Sequence, residues 1–203
     1  MAPHITHLTQ ADYQISQWSG GTTTQLAIAP EGAVYADRDF LWRLSSAGVE
    51  LEHSDFTPLP DYNRLISILE GELELKIGEG ERSPLRPLQL KAFDGGVPVE
   101  SWGRCTDFNL MVRKGAAQAS AQALRLEAGS ALFWDAPVVA PETFPHLTLA
   151  LYCAQGTVLA DGVAAQAGQL RRVPERRVRE APVFVHLVLI DLYVLEVDVE
   201  DAV

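Results

Sequence analysis

Ile66-Ser67-Ile68-Leu69-Glu70-Gly71-Glu72-Leu73-Glu74-Leu75-Lys76-Ile77 is the stretch that decides the fold. Its second half alternates apolar and charged residues, the period-two pattern of a strand with one wet face. In Ile66 and Ile68 the apolar phase falls on even positions; from Leu73 to Ile77 it falls on odd ones. A one-residue change of phase reverses the face to which each side chain points. The spacing therefore predicts a bend or bulge at Glu70-Gly71.

Outward from this stretch the same signal recurs. Val49-Glu50-Leu51-Glu52 alternates, residues 108–112 form a short apolar run, and Leu147, Leu149, Leu151 and Cys153 alternate with polar or small residues. Asp94-Gly95-Gly96-Val97-Pro98 reads as a turn. Residues 183–199 are rich in Val, Leu and Ile, which predicts one long strand or two joined strands. Residues 115–126 are rich in Ala and Gln; they read as a helix or as a connection between lobes.

A repeat is also visible. The Gly71 strand opening is followed by a hairpin and then Leu88 to Phe93. Gln155-Gly156-Thr157-Val158-Leu159 is followed by Ala167-Gly168-Gln169-Leu170. Two such halves in 203 residues predict an all-β chain, a cupin-like double jelly-roll (bicupin) of two stacked β-sandwich lobes. The expected lobes are residues 1–115 and 116–203, with strands exchanged between them.

Composition narrows the function. Hydrophobic residues make up 47% of the chain, enough for a sizeable core. The net charge of -11 disfavours nucleic acid and anionic membranes as partners, yet leaves room for a local basic pocket that takes a small anion. Two cysteines far apart, Cys105 and Cys153, make neither a disulfide framework nor a paired-thiolate metal site. Residues 1–10 have no apolar run of signal-peptide length, and the 183–199 stretch is broken by His186, Asp191, Glu196 and Asp198. A soluble cytoplasmic protein is expected. A homodimer is also expected, through an apolar outer sheet face.

A metal-binding barrel of this type needs two closely spaced His, a Glu soon after, and a third His on a later strand. The segment that would carry the first set reads Pro60-Asp61-Tyr62-Asn63-Arg64-Leu65-Ile66, and His4, His7, His53, His146 and His186 do not form that set. No metal and no cofactor are expected. No Gly-x-Ser-x-Gly elbow or phosphate loop is present, and neither Cys has a His nearby in sequence.

Parity picks out binding candidates instead. Arg43 and Ser45 share parity with Val49 and Leu51, and Arg64 shares it with Ile66 and Ile68. If the apolar residues face the barrel, so do the arginines, and a buried guanidinium needs an anion, an internal Asp or Glu, or a route to the rim. A planar guanidinium offers a carboxylate two parallel donors. Gly20-Gly21 followed by Thr22-Thr23-Thr24 reads as a tight turn into an edge strand, or as a polar pocket wall in which Thr22 and Thr24 point inward with Leu26 and Ile28. Trp18 is a core or rim anchor, or a stacking surface. Asn109, between Phe108 and Leu110, is a buried amide in need of partners. The run Arg171, Arg172, Arg176, Arg177, Arg179, diluted by Glu175 and Glu180, reads as a solvated hairpin.

Several of these stretches together resemble one family. Trp18-Ser19-Gly20-Gly21-Thr22-Thr23-Thr24-Gln25-Leu26 is similar to the opening motif of the HutD/Ves family. So are Phe40-Leu41-Trp42-Arg43-Leu44-Ser45-Ser46-Ala47, Phe56-Thr57-Pro58-Leu59-Pro60-Asp61-Tyr62-Asn63-Arg64, Leu69-Glu70-Gly71, and the run from Asp107 to Gly115. They occur in family order over roughly residues 15 to 115. The resemblance implies a metal-free bicupin associated with histidine utilisation, sensing or buffering an intermediate such as urocanate or formylglutamate. Many members carry Glu where this chain has Gln25.

The expected function is non-catalytic binding of a small anionic metabolite, a carboxylate. Arg64 and Arg43 are its anchors, Thr24, Gln25, Asn109 and Ser45 add hydrogen bonds, and Trp18 stands beside them. The rivals are a metal-independent isomerase or epimerase using His53 and Tyr62, and a structural or regulatory protein acting through a surface.

Overall fold

The computed structural model describes residues 7–127, 132–133, 146–160, 163–172, 177–180 and 185–194. Apart from two short 3-10 turns, Gln10–Asp12 and Tyr35–Asp37, the regular elements among them are strands. In chain order the first eleven are β1 (His7–Leu8), β2 (Gln14–Trp18), β3 (Gly21–Ala29), β4 (Trp42–Val49), β5 (His53–Asp55), β6 (Tyr62–Gly71), β7 (Leu73–Ile77), β8 (Ser83–Leu85), β9 (Leu90–Asp94), β10 (Val99–Trp102) and β11 (Cys105–Arg113). They are followed by β12 (Ala117–Leu126), β13 (Leu132–Phe133), β14 (His146–Gln155), β15 (Thr157–Ala160), β16 (Val163–Gln166), β17 (Gln169–Arg172), β18 (Arg177–Glu180) and β19 (Val185–Val194). The fold is all-β, as the alternation predicts.

The chain divides into two compact units. Tyr13–Ala117 forms one. Its six-stranded sheet runs β2-β3-β4-β11-β6-β9, and its four-stranded sheet runs β5-β10-β7-β8. A core of Val49, Ile66, Ile68 and Cys105 from the first sheet and Leu73, Leu75, Leu85 and Val99 from the second joins them as a sandwich. Fully burying side chains of this size contributes roughly 1.5–3 kcal/mol each. A second cluster, Phe40, Leu59, Tyr62 and Met111, closes another part of the unit. Tyr62 stacks on Phe40 at 4.3 Å, and its hydroxyl lies 2.9 Å from the Phe40 carbonyl oxygen and 3.0 Å from that of Arg38.

The predicted phase change is a bulge. Asp107 of β11 stands opposite Ile68 of β6, and Thr106 stands opposite Glu70, so Leu69 is the extra residue. Gly71 follows with φ +83°, and a Cβ there would lie 2.4 Å from the Arg104 carbonyl oxygen. The chain then leaves the six-stranded sheet and enters the four-stranded one as β7. Asp94 to Pro98 forms the expected turn, with the Gly96 amide donating to Asp94 Oδ1 at 2.8 Å and the Val97 amide to the Asp94 carbonyl at 3.1 Å.

Met1–Asp12 and Gln118–Asp201 form the other unit. Its sheets run β1-β17-β14-β19-β12 and β13-β18-β15-β16. Leu149, Leu151, Cys153, Val158, Ala165 and Leu170 are buried in it. Gly156, φ +85°, separates β14 from β15 as Gly71 separates β6 from β7, and in both cases the chain changes sheet. The first residues belong with this unit because His7 and Leu8 pair with Arg171 and Leu170. Residues 115–126 are β12 over most of their length, so the helical alternative is corrected: pairing beside β19 overrides the helix preference of Ala and Gln. Among the described residues of the 183–199 stretch, Val185–Val194 form one strand, β19. Of the basic run, Arg171, Arg172, Arg177 and Arg179 lie on β17 and β18; Glu175 and Arg176 are outside the described residues, as is His4. Among the described residues no helix is long and apolar enough to cross a membrane.

Candidate functional site

The Tyr13–Ala117 unit contains a cavity of about 270 Å³. Three neighbouring strands form one wall, and their register decides its chemistry. Met111 of β11 stands between Arg43 of β4 and Arg64 of β6. Two residues along, Asn109 stands between Ser45 and Ile66. Two further, Asp107 stands between Ala47 and Ile68. Side chains two apart on a strand share a face. Hence Arg43, Ser45, Ala47 and Val49 line the cavity together with Asp107, Asn109 and Met111, and Arg64 joins them from β6. Trp18, Thr23, Tyr35, Phe56 and Thr57 complete much of the lining.

Both arginines are buried, and neither has a carboxylate within ion-pair distance among the described residues. Arg43 Nε donates to Gln25 Oε1 at 2.8 Å, and Arg43 Nη1 donates to Ser45 Oγ at 3.2 Å. The Arg43 guanidinium lies 4.2 Å from the centre of the Tyr35 ring. Arg64 is 7% exposed. It has one long bond, Nη1 to the Thr57 carbonyl at 3.5 Å, and its Nε has no partner. The rings of Phe56 and Phe93 lie 4.8 and 5.3 Å from its guanidinium carbon. Aromatic faces attract a cation but give it no directed hydrogen bonds. Burial pulls the Arg64 guanidinium down to about 10 and lowers Arg43 as well. Arg64 thus stays charged at neutral pH.

Asp107 is the acidic group of the buried wall. It is 4% exposed, and its Oδ1 accepts the Ala47 amide at 3.0 Å. Burial pushes its carboxyl up to about 7; the Ala47 hydrogen bond and the charges of Arg64 and Arg43 oppose that rise without cancelling it. Asn109 is 5% exposed, and its Oδ1 has no donor.

The sequence-based candidates sort clearly. Arg43, Ser45, Arg64, Asn109 and Trp18 all line the cavity. Gln25 is buried behind Arg43 and holds its Nε; it also donates to Gln14 Oε1 at 3.3 Å. Thr24 requires a correction. It pairs with Ser46, on the face opposite Ser45, while Thr23 lines the cavity beside Ala47. The reason is a bulge at Leu26: Gln25 pairs with Ser45 and Ala27 with Leu44, so parity changes within β3. Ser19-Gly20 form the turn between β2 and β3, Gly21 opens β3 opposite Trp18, and β2 is the sheet edge. The rival candidates lie elsewhere. His53 is exposed beside Trp102, and the Tyr62 hydroxyl is engaged by the Arg38 and Phe40 carbonyls and by Arg113. Asp107, Tyr35 and Phe56 were not singled out in the sequence. Asp107 shares parity with Asn109, and that signal was sufficient to find it.

Folds of this kind often hold a divalent metal, and the cavity does not fit one. Its lining contains no His and no Cys; its two carboxylates, Asp55 and Asp107, are matched by the two guanidinium cations of Arg43 and Arg64, which repel a metal ion there. Among the described residues, His53, Asp55 and Glu100 are the group whose ligand atoms come within 4.8 Å of one another. His53 and Asp55 are exposed, Asp55 at the cavity, and Glu100 is half-buried and engaged by Lys76 Nζ at 3.1 Å. Both thiols, Cys105 and Cys153, are pushed up to about 12 by burial, which leaves them unreactive.

An all-β sandwich of jelly-roll type is the cupin-like fold, and known structures share it. A conserved protein of unknown function, PA5104 from Pseudomonas aeruginosa PAO1, is 26% identical, with 94% of this chain and 99% of that one covered and a TM-score of 0.74. HutD from Pseudomonas fluorescens SBW25 (formate condition) is 21% identical over 95% of this chain and 98% of that one, with a TM-score of 0.68. The bacterial pirin YhhW from Escherichia coli, solved with nickel(II), is 11% identical over 95% and 100%, with a TM-score of 0.66. No curated protein matches the chain. The HutD family model matches residues 10–175, and the chain belongs to the HutD family.

Proposed function

We propose that the protein binds a small carboxylate metabolite in the cavity of the Tyr13–Ala117 unit, sensing or buffering it without chemical change. The observation that carries this reading is the pair of buried guanidinium groups without a carboxylate partner, one with a free Nε. An unpaired buried charge is costly, and a bidentate carboxylate is the anion whose shape matches a guanidinium fork. Gln25 positions Arg43 while leaving its charge uncompensated. Ser45, Thr23 and Asn109 supply further polar contacts, and Trp18 an aromatic surface. Within small carboxylates, the family resemblance brings forward histidine-degradation intermediates such as urocanate and formylglutamate.

Titration calorimetry on Arg64 variants tests this. Loss of a charge-assisted fork costs about 2–3 kcal/mol, so Arg64→Ala is expected to weaken carboxylate binding roughly 30- to 150-fold. Arg64→Lys recovers only part of that, because an ammonium cannot make two parallel bonds. A lowered melting temperature with unchanged affinity would defeat the proposal and make Arg64 a structural group. A second reading, metal-independent acid–base chemistry, rests on Asp107, whose carboxyl titrates near neutrality inside the cavity. Mass spectrometry of the carboxylate before and after incubation separates the two: conversion that is lost in Asp107→Asn favours catalysis.

A further inference from the structure

The wall that carries the arginines also carries a buried acceptor with no donor, Asn109 Oδ1, and this points to a second feature of the ligand. We infer that the cavity recognises a carboxylate that also bears an N–H donor, with Asn109 and Asp107 as the residues that accept it. The inference rests on the carboxylate reading above and adds a specificity element to it.

The argument starts from satisfaction. Buried polar atoms in folded proteins are almost always hydrogen-bonded. Asn109 Oδ1 is buried and is not. Its cross-strand neighbours on the cavity face leave it unmet: Ile66 is apolar, and the Ser45 hydroxyl, which accepts from Arg43 Nη1, makes no hydrogen bond to it. Asp107, the next residue along on the same face, spends one carboxyl oxygen on the Ala47 amide.

Position separates the attachment points of these acceptors from those of the cations. Arg43 and Arg64 flank Met111; Asn109 lies two residues away along β11, and Asp107 two beyond it. At a strand rise of about 3.3 Å per residue, successive cavity-facing positions are about 7 Å apart. The attachment points are thus stepped along β11, and the Arg43 head reaches one step towards the acceptors, its Nη1 meeting Ser45 Oγ opposite Asn109. A ligand lying along β11 meets donors with one end and acceptors with the other. Simple monocarboxylates satisfy only the donors.

Matched probes isolate the acceptors. Pyrrole-2-carboxylate and furan-2-carboxylate share shape and charge but differ in the ring N–H. N-Acetylglycine and acetoxyacetate differ in the same way in an open chain. Leaving a buried acceptor unmet typically lowers affinity ~10- to 100-fold, so by calorimetry the N–H member of at least one pair is expected to bind ~10-fold or more tightly. In Asn109→Leu the ratio within that pair is expected to fall towards one. Equal affinities within both pairs in the wild-type protein would overturn the inference, as would a ratio that survives Asn109→Leu. Should that variant not fold, the wild-type ratios decide alone. The two readings fail differently. If the pairs bind equally and Arg64→Ala weakens all four probes, only the N–H inference falls. If no probe binds, or Arg64→Ala changes nothing, the carboxylate reading falls and takes this one with it.

Discussion

Asp107→Asn changes one buried group and should change how stability depends on pH. In the folded protein burial holds the Asp107 carboxyl near 7, against the ordinary value of 3.8. The folded-state pKa is therefore raised, and the sign is that of a buried acid. Between the two values the unfolded chain has released a proton that the folded chain retains. Stability falls as pH climbs through that interval, and the penalty is complete above about 7. At about 1.36 kcal/mol per pKa unit the full interval amounts to about 4 kcal/mol, of which about 3 kcal/mol develops between pH 4.5 and 8.5. The amide in Asp107→Asn keeps an oxygen for the Ala47 amide and does not titrate. Relative to wild type, the variant should gain about 3 kcal/mol on going from pH 4.5 to 8.5, whatever fixed offset the substitution adds. Urea unfolding at the two pH values reads this directly. Three of the four tryptophans, Trp18, Trp42 and Trp102, belong to the Tyr13–Ala117 unit, so intrinsic fluorescence follows that unit. Parallel stability–pH curves for wild type and variant would refute the reasoning.

Other outcomes follow from the same geometry. Gln25→Glu places a carboxylate on Arg43 Nε, where the amide oxygen now sits at 2.8 Å, and should lower the affinity for furan-2-carboxylate about tenfold by neutralising that guanidinium, as calorimetry can measure. Gly21→Ala should destabilise by about 2–4 kcal/mol, because the residue has φ +146° and a Cβ would lie 1.9 Å from the Gly48 carbonyl oxygen; Gly115→Ala, at φ +76° with open space around the Cβ, should cost only about 1–2 kcal/mol in the same denaturation assay. Elemental analysis of purified, tag-free protein should give less than one equivalent of iron, manganese, zinc or nickel, given the donor set of the cavity; one tightly held equivalent would contradict that.

Legibility in the sequence followed the reach of alternation. Where apolar and polar residues take turns, parity fixed the face: Arg43, Ser45, Arg64 and Asn109 were placed by it, and the phase break at Glu70-Gly71 marked a bulge. Where alternation is silent, parity misled. Thr22-Thr23-Thr24-Gln25 contains no apolar residue to set the phase. Its phase can be read only from Leu26 and Ile28, across an irregularity that the sequence does not advertise, so parity points to Thr24 where the fold brings Thr23 to the cavity. The Ala-rich 115–126 stretch misled differently, since its preference is local and its pairing beside β19 is not. Tyr35 and Phe56 reach the cavity from outside the strands that form its wall, through contacts distant in sequence. No periodicity reports such contacts.

The bulge at Leu26 also bears on how such a pocket changes over evolution. Before it, odd-numbered residues of β3 face the pocket wall; after it, Ile28 takes the place opposite Arg43. The extra residue works as a clutch between two gears of the same strand. Substitution at Thr23 or Gln25 alters one tooth. Deleting Leu26 would join Gln25, opposite Ser45, directly to Ala27, opposite Leu44, so the ladder would become regular while Thr23 and Gln25 keep their partners and their face. The strand can therefore gain or lose this one residue without re-aiming the wall, a tolerance that catalogues of point mutations do not sample.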